Sequence, residues 1–157
     1  MKKFTLLIVC LIASMATTFA QRCGDKSVVF KLNYASDTSF GIGTRFQYNI
    51  TDQIRVEPEF NYYFEHDYVS FWDMGVNAAY LFPIASDVTL YPLAGIGYAH
   101  FDGNGCDGCS DGRFQAKFGA GAEFQLVPKV KVVIEPKFQL VDDSNQFVIT
   151  AGIAYCF

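Results

Sequence analysis

The stretch FGIGTRFQYNI, Phe40 to Ile50, divides by parity: Phe40, Ile42, Phe46, Tyr48 and Ile50 fall on one side, and Gly41, Gly43, Arg45, Gln47 and Asn49 on the other. Side chains that switch faces at every residue belong to a β-strand, and no helical period competes. The split recurs from Ile54, with Val56, Pro58, Phe60, Tyr62 and Phe64 against Arg55, Glu57, Glu59, Asn61 and Tyr63. It returns as Phe114, Ala116, Phe118, Ala120, Ala122 and Phe124 against Gln115, Lys117, Gly119, Gly121, Glu123 and Gln125.

Runs of this kind predict strands near Ser27 to Ala35, Thr38 to Ile50, Ile54 to Phe64, Val69 to Phe82, Val88 to Phe101, Arg113 to Leu126, Val130 to Val141 and Gln146 to Phe157, eight in all. The connectors alternate in kind. Thr51-Asp52-Gln53, Pro83 to Asp87 and Val127-Pro128-Lys129 read as compact turns, whereas Glu65 to Tyr68, Asp102 to Gly112 and Asp142 to Asn145 read as polar loops; the first hairpin, at Ser36-Asp37, is shorter. Long strands in even number, with turns at one rim and loops at the other, predict an all-β, eight-stranded antiparallel up-and-down transmembrane β-barrel.

Composition agrees with that reading. Of 157 residues, 51% are hydrophobic, 17% aromatic and only 18% charged, which excludes a disordered chain. The formal charge is -4, and loss of Lys2 and Lys3 with a leader makes it -6, so no nucleic-acid partner is expected. Lys2 and Lys3, the apolar run Phe4 to Ala13 and the small residues before Thr18-Phe19-Ala20 have the layout of a secretory signal. The expected division is a signal peptide over 1–20 and one barrel domain over 21–157. Beyond the leader the longest charge-free stretches, Val88 to Phe101 and Ser144 to Phe157, hold 14 residues each, short of the ~20 of a helical span. If the chain enters a membrane, it does so as strands.

Alternation alone does not say which parity faces inward, and a soluble lipocalin-like barrel would turn the apolar one in. Here nearly every strand carries several large apolar residues on that parity, more than an eight-stranded interior can hold. The opposite parity holds Gly41, Gly43, Gly75, Gly95, Gly97, Gly119, Gly121 and Gly152, as a crowded narrow lumen requires. Its charges nearly balance: Lys31, Arg45, Arg55, Lys117, Lys131 and Lys137 stand against Glu57, Glu59, Asp73, Glu123 and Glu135. Unpaired charge in such a tube is costly, so a mutually paired lumen network is expected. Tyr48, Tyr62, Phe82, Tyr91, Tyr98, Phe124, Tyr155 and Phe157 lie near strand ends and read as an interfacial girdle.

The chain resembles the small eight-stranded outer-membrane proteins of the OmpA/OmpX type over essentially all of its mature length. The resemblance is carried by FGIGTRFQYNITDQIRVEPEFNYYF, YPLAGIGYAHF, FGAGAEFQL and the terminal strand QFVITAGIAYCF. It implies residence in the outer membrane, contact with its lipid and a monomeric barrel. It also implies that the last strand, through Tyr155 and Phe157, is the signal read by the outer-membrane assembly machinery. The peptidoglycan-binding domain that follows the barrel in OmpA has no counterpart within these strands, so no wall-binding role is expected. Nor is an open channel, since a barrel this small is filled by side chains.

The segment DGNGCDGCSDG, Asp102 to Gly112, invites three other readings. Gly103, Gly105 and Gly108 match G-x-G-x-x-G, but a strand rather than a helix follows, so no phosphate cradle is expected. Asp102, Asn104 and Cys106 imitate the start of a calcium loop whose twelfth position is Arg113 instead of Glu, and a looser site would need Asp102, Asp107 and Asp111. Cys106 and Cys109 form C-x-x-C, for which an exported chain favours a disulfide over free thiols or a metal. Cys23 and Cys156 flank the first and last strands and are candidates to bridge the seam. His66 with Glu65 and Asp67, and His100, give thin support for catalysis, so no enzyme, cofactor or metal site is expected. The functional expectation is a mainly structural barrel with at most a minimal pore; the alternative is a surface adhesion protein acting through its loops.

Overall fold

The computed structural model describes residues 26–36, 40–66, 69–103, 110–141 and 144–157. The strands follow in chain order: β1 (Lys26–Ala35), β2 (Phe40–Asn49), β3 (Ile54–His66), β4 in two stretches (Val69–Tyr80 and Phe82–Ala85), β5 (Val88–Gly103), β6 (Ser110–Val127), β7 (Val130–Val141) and β8 (Ser144–Cys156). Each pairs antiparallel with its chain neighbours, and β8 returns to β1 with Ser27 opposite Cys156 and Ala35 opposite Val148. The expected eight-stranded barrel therefore closes, leaving no open edge in the bilayer.

The break in β4 is a one-residue departure. Leu81 donates its N–H to the Gln53 carbonyl at 2.7 Å and turns its side chain inward, almost fully buried. Beyond it, Phe82–Ala85 pairs with β5 alone, so Pro83 leaves no ladder bond unmade. The turn expected over Pro83 to Asp87 contracts to Ser86-Asp87, and the next short turn to Pro128-Lys129. At the Thr51 turn the hydroxyl Oγ1 accepts from the Ile54 N–H at 2.9 Å. At the opposite rim the strands outrun their sequence signal: β5 and β6 continue pairing through Phe101 with Asp111 and Asp102 with Ser110. Backbone ladder bonds need no apolar side chain, so pairing persists where alternation has ended.

Parity decides the two surfaces. Phe114 is 81% exposed, Ile96 74% and Phe30 68%, while Arg45, Glu57, Lys117 and Lys137 are at most 1% exposed. Such an exterior would be an aggregation liability in water and is the required surface in lipid. Inside, two apolar clusters share the lumen with the charges, Ala79 lying opposite Arg55 and Val133 opposite Glu123. Val29, Ala79, Leu81, Tyr91, Leu93, Val133 and Ala154 pack toward the short-turn rim. Ala35, Tyr63, Phe71 and Val148 pack toward the other, with the Tyr63 and Phe71 rings stacked at 4.1 Å.

One girdle expectation is overturned. Tyr91 faces the lumen and is 1% exposed, because it shares parity with Leu93 and Gly95. Its ring covers Gly121, its cross-strand partner, so closely that a Cβ there would collide with the ring. The other girdle residues face outward, Phe82 only partly.

Candidate functional site

The inward residues of β1, β2, β3, β4, β6 and β7 build one ionic network. All eleven charged side chains expected in the lumen are buried, Lys131 the least so at 8% exposure. Glu59 on β3 is its hub. It pairs with Lys31 of β1, with Arg45 Nη2 of β2 at 3.1 Å, with Lys117 Nζ of β6 at 2.7 Å and with Lys137 Nζ of β7 at 3.6 Å. Lys31 reaches the hub because its two cross-strand neighbours, Gly43 and Gly152, have no side chains. A Cβ on Gly43 would meet both the Lys31 stem and Asn61.

Glu135 on β7 answers from across the lumen. Its carboxylate accepts from Arg45 Nη1 at 2.7 Å and Nη2 at 2.6 Å, and from the Tyr91 hydroxyl at 3.0 Å. Toward the short-turn rim, Glu57 accepts from Arg55 Nε at 2.7 Å and lies 3.1 Å from Arg45 Nη1. Glu123 lies 2.7 Å from Arg55 Nη1 and 3.6 Å from Lys131 Nζ. Asp73 holds Lys117 at 2.6 Å. Six cations thus interleave with five anions, the arrangement that offsets the several kcal/mol cost of desolvating each ion.

Neutral residues stitch these pairs together. Gln47 Nε2 donates to Glu57 at 3.0 Å and to Glu123 at 3.1 Å. Thr150 donates to Asn33, Asn33 to Asn61, and Asn61 to Asp73, a chain running from β8 through β1 and β3 to β4. Sequence reasoning placed Gln47 and Asn61 on the polar parity without assigning them a part in the network. Their signal was that parity, which they share with the charges. Tyr91 also belongs here, since the Arg55 guanidinium sits 4.8 Å from its ring centroid.

The remaining candidates lie apart. Tyr155 near the end of β8 and Phe157 just beyond it lie on the outer wall, and the Phe157 ring stands 6.4 Å from Phe46. Cys156 is at the short-turn rim opposite Ser27. Cys23, Cys106 and Cys109 lie outside the described residues, as does Asp107, so neither disulfide pairing is described here. His100 is on the outer parity, its ring 5.3 Å from Trp72. Among the described residues no group of three or more His, Cys, Asp and Glu side chains could hold a metal ion.

These features can be set beside known proteins. No curated protein sequence matches the chain. Among solved structures, the N-terminal β-barrel domain of OprF from Pseudomonas aeruginosa superposes with a TM-score of 0.76 at 17% identity, covering 87% of this chain and 100% of that one. Ail, the attachment invasion locus protein of Yersinia pestis, gives a TM-score of 0.61 at 22% identity over 86% of this chain and 99% of its own. Neisserial surface protein A gives 0.66 at 17%, over 85% and 95%. At such identities the likeness is one of fold. The family model described as outer membrane protein beta-barrel domain matches residues 8–157. The chain thus belongs to the outer membrane protein beta-barrel domain family.

Proposed function

We propose that this outer-membrane barrel is a structural component of the membrane whose lumen is shut by its own ionic network. The observation that carries the reading is Arg45. Buried on β2, it binds Glu135 of β7 through two hydrogen bonds and lies within 3.1 Å of Glu57 and Glu59. Strands β1 and β8 separate β2 from β7 in the sheet, so this contact runs across the lumen. Planar-bilayer recording tests it. The folded chain should be electrically silent or nearly so, and Arg45→Ala should raise the open-level current; a large, steady conductance in the unaltered chain would overturn the proposal.

The mature chain would begin at Gln21 and act as a monomer, without catalysis or cofactor. The terminal strand would be read by the assembly machinery through Tyr155 and Phe157. Phe157→Ala should then slow insertion in cells while leaving refolding into detergent unchanged. Equal slowing in both would point to a packing role against Phe46 instead. The alternative, adhesion through the loops, is supported by the likeness in fold to Ail, an attachment invasion locus protein. Excision of residues 104–109 followed by a host-cell binding assay tests that reading.

A further inference from the structure

We propose that the short-turn mouth of the barrel binds a small oxyanion of the phosphate class. A cavity of about 310 Å³ opens there, lined by Ser27, Asn49, Arg55, Gln125, Lys129 and Lys131 among others. Two donors at this cavity are buried and have no hydrogen-bond partner among the described residues: Asn49 Nδ2 and Arg55 Nη2. Asn49 is 2% exposed and Arg55 1%. A buried donor left unmade costs roughly 1–3 kcal/mol, and more when charged, so these two donors call for an acceptor.

Charge selects the acceptor. Lys129 stands exposed on the Pro128-Lys129 turn, and Lys131 is directed inward beside it. Lys26 also borders the cavity, but its ammonium sits over the Tyr48 ring at 5.8 Å on the outer wall and is not counted. Two acidic side chains of the network lie nearby and both are shared among cations: Glu57 between Arg55 Nε at 2.7 Å and Arg45 Nη1 at 3.1 Å, and Glu123 between Arg55 Nη1 at 2.7 Å and Lys131 at 3.6 Å. A guanidinium, an amide and two ammonium groups converging from β2, β3, β7 and a turn suit an anion that accepts from several directions at once, as a tetrahedral phosphate does. The occupant is either free inorganic phosphate or the phosphate of a lipid headgroup.

The test is a titration of inorganic phosphate into the full chain, refolded in a phosphate-free maltoside detergent, with the side-chain nitrogen resonances of Asn49 and Arg55 followed by NMR. Both should shift saturably. Asn49→Asp, which puts a carboxylate where the anion would sit, should abolish the shift of Arg55. Lys129→Gln, an exposed change outside the lumen network, should weaken binding by roughly tenfold, the effect of losing one charge-assisted contact. Folding of each variant is checked by heat-modifiable gel migration, and Lys129→Gln alone suffices should Asn49→Asp fail to fold. Nanodiscs containing phosphatidic acid that produce the same shifts before any phosphate is added identify a lipid source; shifts that need added phosphate identify a soluble one. Shifts that never saturate, that chloride reproduces, or that survive both substitutions overturn the site.

Discussion

Arg45 and Glu135, 90 residues apart in sequence, meet in the lumen through two hydrogen bonds of 2.7 and 2.6 Å. The pair joins β2 to β7 across the barrel, where the sheet itself provides no bond between them. Both side chains are at most 1% exposed, so removing one partner strands the other charge in a medium that cannot solvate it.

Arg45→Ala should therefore destabilise the barrel by about 3–5 kcal/mol, the usual cost of breaking a buried pair from one side. Because Arg45 also serves Glu57 and Glu59, the upper end is expected. Replacing both partners with apolar residues, Arg45→Met with Glu135→Leu, should recover part of the loss. Urea unfolding in lipid vesicles gives both numbers, and an Arg45→Ala effect below about 1 kcal/mol would mean that water reaches the network freely.

How far the sequence reveals this arrangement depends on the residue. Arg45, Glu59 and Lys137 are visible as lumen charges because alternation alone puts them opposite a stripe of Phe, Tyr and Ile. Their partners are not visible: which carboxylate meets Arg45 depends on the shear of the closed sheet, and no local pattern encodes that. Tyr91 misleads for a different reason. It lies near a strand end and is aromatic, both girdle traits, yet Leu93 on the same face breaks the polar signal that marks the lumen elsewhere. Gly121 held the missing information, since a glycine opposite a tyrosine on the narrow face makes room for a ring.

That Tyr91 and Gly121 contact is separately testable. Any side chain at Gly121 collides with the ring, so Gly121→Val should destabilise by about 1–3 kcal/mol, as overpacking of a filled interior does. The same substitution placed on Tyr91→Ala should cost much less than it does alone, because the ring is gone. A double-mutant cycle measured by denaturant unfolding reads the coupling directly, and strict additivity would show that the ring moves aside at no cost.

The seam between β1 and β8 gives a redox prediction. Cys156 pairs opposite Ser27, four residues along the chain from Cys23. We expect Cys23 with Cys156 and Cys106 with Cys109 to be oxidised in the exported protein. Alkylation of the denatured chain followed by mass measurement should show no modified mature cysteine without reductant and four with it. Two modified residues without reductant would retain one bridge and discard the other, and peptide mapping would say which.

The outer wall separates a lipid-facing barrel from a water-facing one. Ile96 is 74% exposed near the middle of β5, flanked by Val76 on β4 and Ala116 on β6. In water, Ile96→Arg would be nearly silent, since surface substitutions usually change stability by no more than about 0.5 kcal/mol. In a bilayer the same change brings a guanidinium into hydrocarbon, at a cost of about 2–4 kcal/mol near the midplane and about 0–1 near an interface. Ile84→Arg, near the Ser86-Asp87 turn, is the internal control and should cost little. The pair of variants, unfolded reversibly from vesicles, should therefore differ by at least about 1 kcal/mol. Equal costs would place Ile96 away from the midplane and require a different tilt or depth for the barrel.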